Sequence, residues 1–183
     1  REGKRSEAIV LGSHIDTVIG GGRYDGIAGV LAALEVAQTL NEYKEVTTFA
    51  LEVVDFLSEE PSDYGASCVG SHAWAGTLTP TMLQQTNGAG ETLESAIKRM
   101  GGQPSAHPLR KPEELVGYIE LHIEQGPTLE NQKINVGVVT GIAGIRRWEV
   151  TFEGKADHAG TTPMNIRNDA LVRASRFIAS VSD

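Results

Sequence analysis

Histidines and acidic residues recur in short clusters along this chain, and such side chains are the usual ligands of divalent metals. The clusters are His14 with Asp16, Glu59 with Glu60, and His122 with Glu124. Imidazole nitrogens and carboxylate oxygens bind zinc-type ions, and a catalytic metal keeps one position open for water. Together the clusters predict a site at which a metal ion activates water.

Predicted strands precede or contain each cluster. Residues 8–13 form an apolar run typical of a strand buried in a parallel sheet, and residues 47–56 form a second one. Residues 116–124 alternate between apolar and polar side chains, and residues 26–40 have helical spacing. The pattern predicts an α/β fold with a mostly parallel sheet flanked by helices. Because sites in such sheets form outside the carboxyl ends of the strands, we expect the clusters to converge.

A glycine-rich loop brings one more carboxylate toward this edge. Asp25 lies between the loop at residues 18–24 and the predicted helix. The three glycines at 20–22 are a weak nucleotide signal, because the spacing of a phosphate-binding loop is missing.

Each candidate also has a purely structural interpretation. The alternatives are a buried structural histidine at His14, a helix N-cap at Asp25, a surface pair at Glu59 and Glu60, and the solvent face of an edge strand at Glu120, His122 and Glu124. The metal hypothesis rests on their coincidence at the ends of three strands.

Within the metal hypothesis, neighbouring residues suggest different roles. The Asp16 carboxylate, two residues beyond His14, is expected to accept the second ring N–H of that imidazole and so to orient it. Adjacent Glu59 and Glu60 point different ways in an extended segment. One of them can therefore bind metal while the other removes a proton from water.

Composition excludes several classes of protein. The 183 residues carry 16 Lys and Arg against 24 Asp and Glu, a net charge of −8, without the basic stripe of a nucleic-acid binder. A single cysteine excludes an internal disulfide and favours the cytoplasm. No apolar run approaches the roughly 18 residues of a membrane span, and we expect no signal segment from the opening residues.

The character of the sequence changes after Gly141. Residues 145–155 alternate like a half-exposed strand, and a helix is predicted over 164–181. We therefore predict a metal-binding catalytic domain over 1–141 and the start of a second domain over 142–183. The chain begins at an Arg and ends within a helical pattern, so we expect it to be a piece of a longer protein.

Four segments resemble a known family in order and spacing. They are GSHIDTVIGGGRYDGIAGVLAALE at 12–35, FLSEEPSDYG at 56–65, LHIEQGPTLE at 121–130 and FEGKADHAGTTPM at 152–164. The chain resembles the binuclear metal amidohydrolases of the aminoacylase and carboxypeptidase-G type. Within them it is most similar to the N-carbamoyl-L-amino-acid hydrolase, allantoate amidohydrolase and beta-ureidopropionase branch.

The resemblance implies two divalent metal ions, of zinc, manganese, cobalt or nickel. His14, Asp25 and His122 would hold one ion, and Asp25 would bridge to a second ion held by Glu60. The general base would be Glu59. The implied reaction is hydrolysis of a linear C–N bond in a small carbamoyl or ureido substrate.

Three further roles follow from the resemblance. Asp16 would orient His14, Gln125 would lie beside the substrate, and His158 would stabilise the oxyanion. The family fold inserts a smaller α+β dimerisation domain into the catalytic domain. A homodimer is therefore implied, in which His158 reaches into the partner subunit's site.

The sequence departs from the family pattern in two respects. No His follows His158, although the family's second metal takes one more His from a later segment, and the Arg and Asn that recognise the substrate carboxylate are also absent. EEPSDYG at 59–65 replaces an EEG followed by a basic and an aromatic residue, which leaves the metal ligands intact. An aminoacylase or dipeptidase, or an inactive piece that keeps only the fold, remains an alternative.

Overall fold

The computed structural model describes residues 7–104, 111–144 and 146–181. The strands in these ranges are β1 (Ala8–Ser13), β2 (Ala50–Asp55) and β3 (Leu115–Ile119). The α-helices are α1 (Ile27–Glu42), α2 (Val69–Trp74), α3 (Pro80–Leu83), α4 (Leu93–Arg99), α5 (Thr128–Gln132) and α6 (Ala170–Val181). Short 3-10 helices cover Pro112–Glu114 and Met164–Ile166.

The three strands form one parallel sheet in the order β2-β1-β3. Strand β1 lies in the middle, where Ser13 is in register with Asp55 of β2 and Leu11 with Ile119 of β3. Its Ala8 and Val10 are buried, as expected for a central strand. The predicted α/β fold with a parallel sheet is confirmed. The third strand is shorter than predicted, so residues 120–124 follow it as a loop.

Helix α1 connects β1 to β2 and packs on both strands. Val30 and Ala33 face the sheet and are buried. A Cβ atom at Gly29 would lie 2.3 Å from the Leu121 carbonyl oxygen and 2.6 Å from the Ser13 Cβ. Only glycine allows this approach, which draws the ends of β1 and β3 against the helix.

A second apolar cluster supports the segment after β2. Ala66 and Val69 pack there with Leu93 and Ile97 of α4, and all four are buried. This packing anchors the loop that carries the acidic pair.

Two compact units divide the chain, between Val136 and Gly137. In the second unit, the Phe152 and Phe177 rings lie 5.6 Å apart, and the Lys155 main-chain N–H donates to the Asn168 carbonyl oxygen at 2.8 Å. The domain assignment over 1–141 and 142–183 stays a prediction.

The strand predicted over 145–155 does not form in the described residues 146–155. Alternation alone does not make a strand, because the ladder needs a neighbouring strand and the described part of this unit supplies none. Among the described helices, none has both the length and the apolar character needed to cross a bilayer.

Candidate metal centre

Residues from each of the three predicted clusters meet at the carboxyl ends of the strands. His14 directly follows β1, and His122 lies just beyond β3. Two groups of side chains have ligand atoms within 4.8 Å of one another. They are His14 with Asp25 and His122, and His14 with Glu59 and Glu60. His14 belongs to both groups, and it is 2% exposed.

The two imidazoles face each other through their Nε2 nitrogens. His14 Nδ1 lies 2.7 Å from the Asp16 main-chain oxygen, and His122 Nδ1 lies 2.8 Å from the Ile123 main-chain oxygen. A carbonyl oxygen can only accept, so each Nδ1 donates, and in the neutral form of each ring Nε2 is left with a lone pair. The two Nε2 atoms are 3.3 Å apart. Lone pairs repel at this distance unless a positive charge lies beside them, so the arrangement fits a divalent cation.

Asp25 adds a buried carboxylate to this pair. One of its oxygens lies 3.5 Å from His122 Nε2, and the side chain is 6% exposed. Both oxygens accept from the Gln125 side-chain amide at 3.0 Å. The N-cap of helix α1 is Gly26, which has no side-chain cap bond. The N-cap interpretation of Asp25 is therefore wrong.

Gly26 is required where the loop passes the His14 ring. Its φ of 65° is in the left-handed region, and a Cβ atom there would lie 2.4 Å from the imidazole Nδ1 and Cε1 atoms. Glycine adopts the positive φ without strain and has no Cβ to clash with the His14 ring, so the loop can bring Asp25 close to the site.

Asp16 connects the His14 imidazole to the acidic pair, in a way that differs from the expectation. Its main-chain oxygen, rather than its carboxylate, accepts the ring N–H, since the nearest carboxylate oxygen is 3.6 Å from Nδ1. The carboxylate instead accepts the main-chain N–H groups of Glu59 at 3.1 Å and Glu60 at 3.0 Å. Because the imidazole bonds to the carbonyl of Asp16, the Asp16 carboxylate is available to hold the main chain of the loop that carries Glu59 and Glu60.

The acidic pair is only partly buried. Glu59 is 38% exposed, and its Oε2 lies 3.7 Å from His14 Nε2. Burial raises the pKa of the Glu60 carboxyl above its usual value, and the carboxylates of Asp25 and Glu59 raise it further. A bound cation would relieve this crowding of negative charge.

Two further contacts at the site escaped the sequence interpretation. The Cys68 thiol donates to Glu59 Oε1 at 3.5 Å, and the Cys68 main-chain N–H donates to the Glu59 carbonyl at 2.7 Å. Glu120 accepts from the Ser13 hydroxyl at 2.5 Å and from the Tyr118 hydroxyl at 2.9 Å, which ties the end of β3 to β1. No spacing signals the Cys68 contact, because it depends on the turn that leads into α2.

His158 belongs to the second unit and to neither ligand group. Its Nδ1 accepts the main-chain N–H groups of Gly160 at 3.1 Å and Thr161 at 3.2 Å. The neutral ring therefore carries its proton on Nε2, where it can donate.

Comparison with known proteins identifies the family. Residues 10–181 match the model of peptidase family M20/M25/M40. The chain belongs to this family. Membership confirms the resemblance that the four segments predict, and the parallel sheet is a part of the M20 fold found in its solved neighbours.

Among M20 relatives, those with amidohydrolase names are similar over nearly all of this chain. An N-carbamoyl-L-amino acid amidohydrolase from Geobacillus stearothermophilus is 43% identical, over 100% of this chain and 46% of the relative. Allantoate amidohydrolase from Bacillus subtilis is 40% identical, over 94% of this chain and 42% of the relative. The chain thus spans less than half the length of the curated relatives that it matches.

A solved structure agrees in fold. An amidase of the hydantoinase/carbamoylase family from Burkholderia phymatum has a TM-score of 0.75 and 32% identity, over 100% of this chain and 45% of that one.

Proposed function

We propose that this chain is part of a metal-dependent amidohydrolase that cleaves a linear C–N bond in an N-carbamoyl-L-amino acid, allantoate or a ureidopropionate. The observation that carries the proposal is the pair of Nε2 atoms 3.3 Å apart, beside the buried Asp25 carboxylate. The names of the relatives, which include N-carbamoyl-L-amino acid amidohydrolase and allantoate amidohydrolase, support the type of bond.

Residues of both ligand groups would serve as metal ligands. His14, Asp25 and His122, which form the first group, would hold one divalent ion. Glu60, from the second group, would hold another ion, with Asp25 shared between the two as the family resemblance implies. The donor set of imidazole nitrogens and carboxylate oxygens suits zinc, manganese, cobalt and nickel. Bound there, such ions lower the pKa of water and offset negative charge on the substrate oxygen.

Glu59 has the position and the freedom of a general base. Its carboxylate lies beside the His14 imidazole without being buried, and the Cys68 thiol restrains one oxygen. We assign to it removal of a proton from the attacking water and delivery of that proton to the leaving nitrogen. The Asp16 carboxylate accepts the main-chain N–H of Glu59. The Gln125 amide donates to Asp25, and we propose that Gln125 also lies beside the substrate.

His158 would donate a hydrogen bond from Nε2–H to the oxyanion of the transition state. Its tautomer supports this role, because the main-chain bonds at Nδ1 leave the proton on the other nitrogen. We further propose a homodimer in which each subunit supplies this His to its partner. Sedimentation of the complete gene product tests the dimer. A cytoplasmic location stays a prediction.

The deciding experiment measures bound metal and hydrolysis together in the complete gene product. The protein is stripped with a chelator, reloaded with zinc, manganese, cobalt or nickel, and offered N-carbamoyl amino acids, allantoate, ureidopropionate, dipeptides and N-acetyl amino acids. We expect about two ions per chain and turnover of a carbamoyl or ureido substrate. Turnover of dipeptides or N-acetyl amino acids alone would replace the proposal by the aminoacylase or peptidase alternative.

The variant Glu59→Gln separates the base from the ligands. We expect it to keep its metal and to lose turnover by a factor of about 100 to 10,000, the usual contribution of a general base. Glu113→Gln, which changes an exposed glutamate in the 3-10 helix before β3, is the matched control and should match the unaltered protein. Retained turnover in Glu59→Gln would contradict the role of Glu59.

A further inference from the structure

The Arg167 guanidinium donates hydrogen bonds to main-chain carbonyls of the turn that follows His158. Its Nε and Nη2 atoms donate to the Thr162 carbonyl oxygen at 3.0 and 2.8 Å. Nη2 also donates to the Ala159 carbonyl oxygen. One planar cation thus binds two carbonyls that bracket residues 160 and 161.

The same turn presents two N–H groups to the imidazole. Gly160 and Thr161 donate to His158 Nδ1 at 3.1 and 3.2 Å. The Ala159 carbonyl and the Gly160 N–H belong to one trans peptide, so they point in opposite directions. When Arg167 holds the carbonyl on one side, the N–H on the other side is aimed at the ring.

We propose that Arg167 is a positioning residue that fixes His158 in the Nε2–H tautomer. It acts through the main chain of the 159–162 turn and does not touch the imidazole. The consequence for hydrolysis rests on the proposed function: an oxyanion donor needs its proton on the nitrogen that faces the substrate. The hydrogen bonds that favour this tautomer lie within this unit of the chain.

The second carbonyl makes Arg a better residue here than Lys. A guanidinium offers several N–H groups in one plane and can hold both carbonyls at once, whereas an ammonium is a point charge on a flexible stem. Arg167 is also partly buried, so these charge-assisted bonds are shielded from water.

The test is nitrogen-15 NMR of the imidazole and of the main-chain amides in the complete gene product. In the unaltered chain we expect a His158 spectrum with Nδ1 unprotonated and Nε2 protonated. In Arg167→Met, which keeps the aliphatic length, the two ring shifts should move toward each other as the tautomers mix. Hydrogen exchange of Gly160 and Thr161 should accelerate by about tenfold or more, as expected for loss of charge-assisted hydrogen bonds.

Arg176→Met is the matched control, because Arg176 is an exposed arginine on helix α6 of the same unit. It should leave both readouts unchanged. In Arg167→Lys we expect an intermediate result, since one carbonyl can still be held. A merely stabilising role for Arg167 would accelerate exchange throughout 146–181, whereas the positioning role confines the change to 158–162.

Three results would overturn the proposal. They are an Nδ1–H or mixed tautomer in the unaltered chain, an unchanged His158 spectrum in Arg167→Met, and a change spread over the whole unit. The first needs no variant, so it tests the proposal even if a substitution prevents folding. None of these measurements uses metal or substrate, and failure of the proposed hydrolysis is therefore distinguishable from failure of this inference.

Discussion

The two sides of the candidate site differ in how firmly the protein holds them. On the histidine side, His14 and Asp25 are 2% and 6% exposed, and each imidazole is fixed by a main-chain carbonyl. On the glutamate side, made of Glu59 and Glu60, the main chain is anchored by Asp16 while the carboxylates stay partly exposed. A rigid set of nitrogens suits tight metal binding, and a freer carboxylate suits a group that must move a proton.

The largest effect on metal binding is expected from His14→Ala, because His14 belongs to both ligand groups. We expect affinity for the first ion, which His14 is proposed to hold, to fall by more than about 100-fold, beyond the usual effect of residues that only orient ligands. Cobalt(II) titration followed by its absorption measures this. His72→Ala removes a histidine that contacts Thr77 outside the site, and it should bind as the unaltered chain does. Equal binding by both variants would remove His14 from the ligands.

Gly26→Ala tests how tightly the histidine side is packed. The new methyl group would meet the His14 ring at 2.4 Å in a left-handed backbone conformation, so we expect a loss of about 2–4 kcal/mol in the free energy of unfolding. Gly65→Ala is the matched control, since Gly65 has a φ of 71° with nothing within 4 Å of a new Cβ. Its loss should be only about 1 kcal/mol. Similar urea midpoints for the two variants would contradict the packing interpretation.

Asp16→Ala is expected to weaken the glutamate side while sparing the histidine side. The substitution removes the acceptor of the Glu59 and Glu60 N–H groups but keeps the main-chain oxygen that binds His14. We expect about a 10- to 100-fold loss of affinity for the second ion, with the first retained. Calorimetric titration resolves the two steps. Asp63→Ala, at an exposed position in the same loop, is the control. Equal weakening of both steps would mean that Asp16 serves the two sides alike.

The smallest effect, a change in the free energy of unfolding, is expected at Glu91. Its carboxylate has a cationic partner, Arg99, whereas Glu59 and Glu60 have no Lys or Arg partner among the described residues. Arg99 and then Tyr64 hold the pKa of Glu91 down, from 4.5 to about 2. A lowered pKa contributes stability above the usual value, and this is lost as the pH falls from 4.5 toward 2. Glu91→Gln should therefore unfold more easily near neutral pH, with a difference that disappears in acid. Thermal unfolding across this range measures it, and a difference independent of pH would contradict the assignment.

Sequence reasoning could predict the parallel strands and the edge at which the ligands gather. Apolar runs and the polar residues after them specify this, because burial and strand ends are local properties of the pattern. The end of β3 could not be predicted, since the alternation continues through Glu124 while pairing stops at Ile119.

The sequence could not predict which atom of a residue in the site makes each hydrogen bond, and the reason is physical. The Asp16 carbonyl and carboxylate can both accept a ring N–H, and only the position of the distant Glu59 and Glu60 backbone decides between them. The same applies to Cys68 and Arg167, whose partners depend on the shape of a turn. Residue types at a given spacing thus predict which groups gather, and tertiary contacts decide which atom of each group is used.

In the proposed site, Asp16 would couple the binding of the two ions. Its carbonyl is bonded to a proposed ligand of the first ion, and its carboxylate to the loop that carries a proposed ligand of the second. Binding of the first ion would restrict the motion of Asp16 and of the loop bonded to it. The second ion would then bind with a smaller loss of conformational entropy. By reciprocity the second ion would also slow the escape of the first, and the two ions would enter and leave as a cooperative pair.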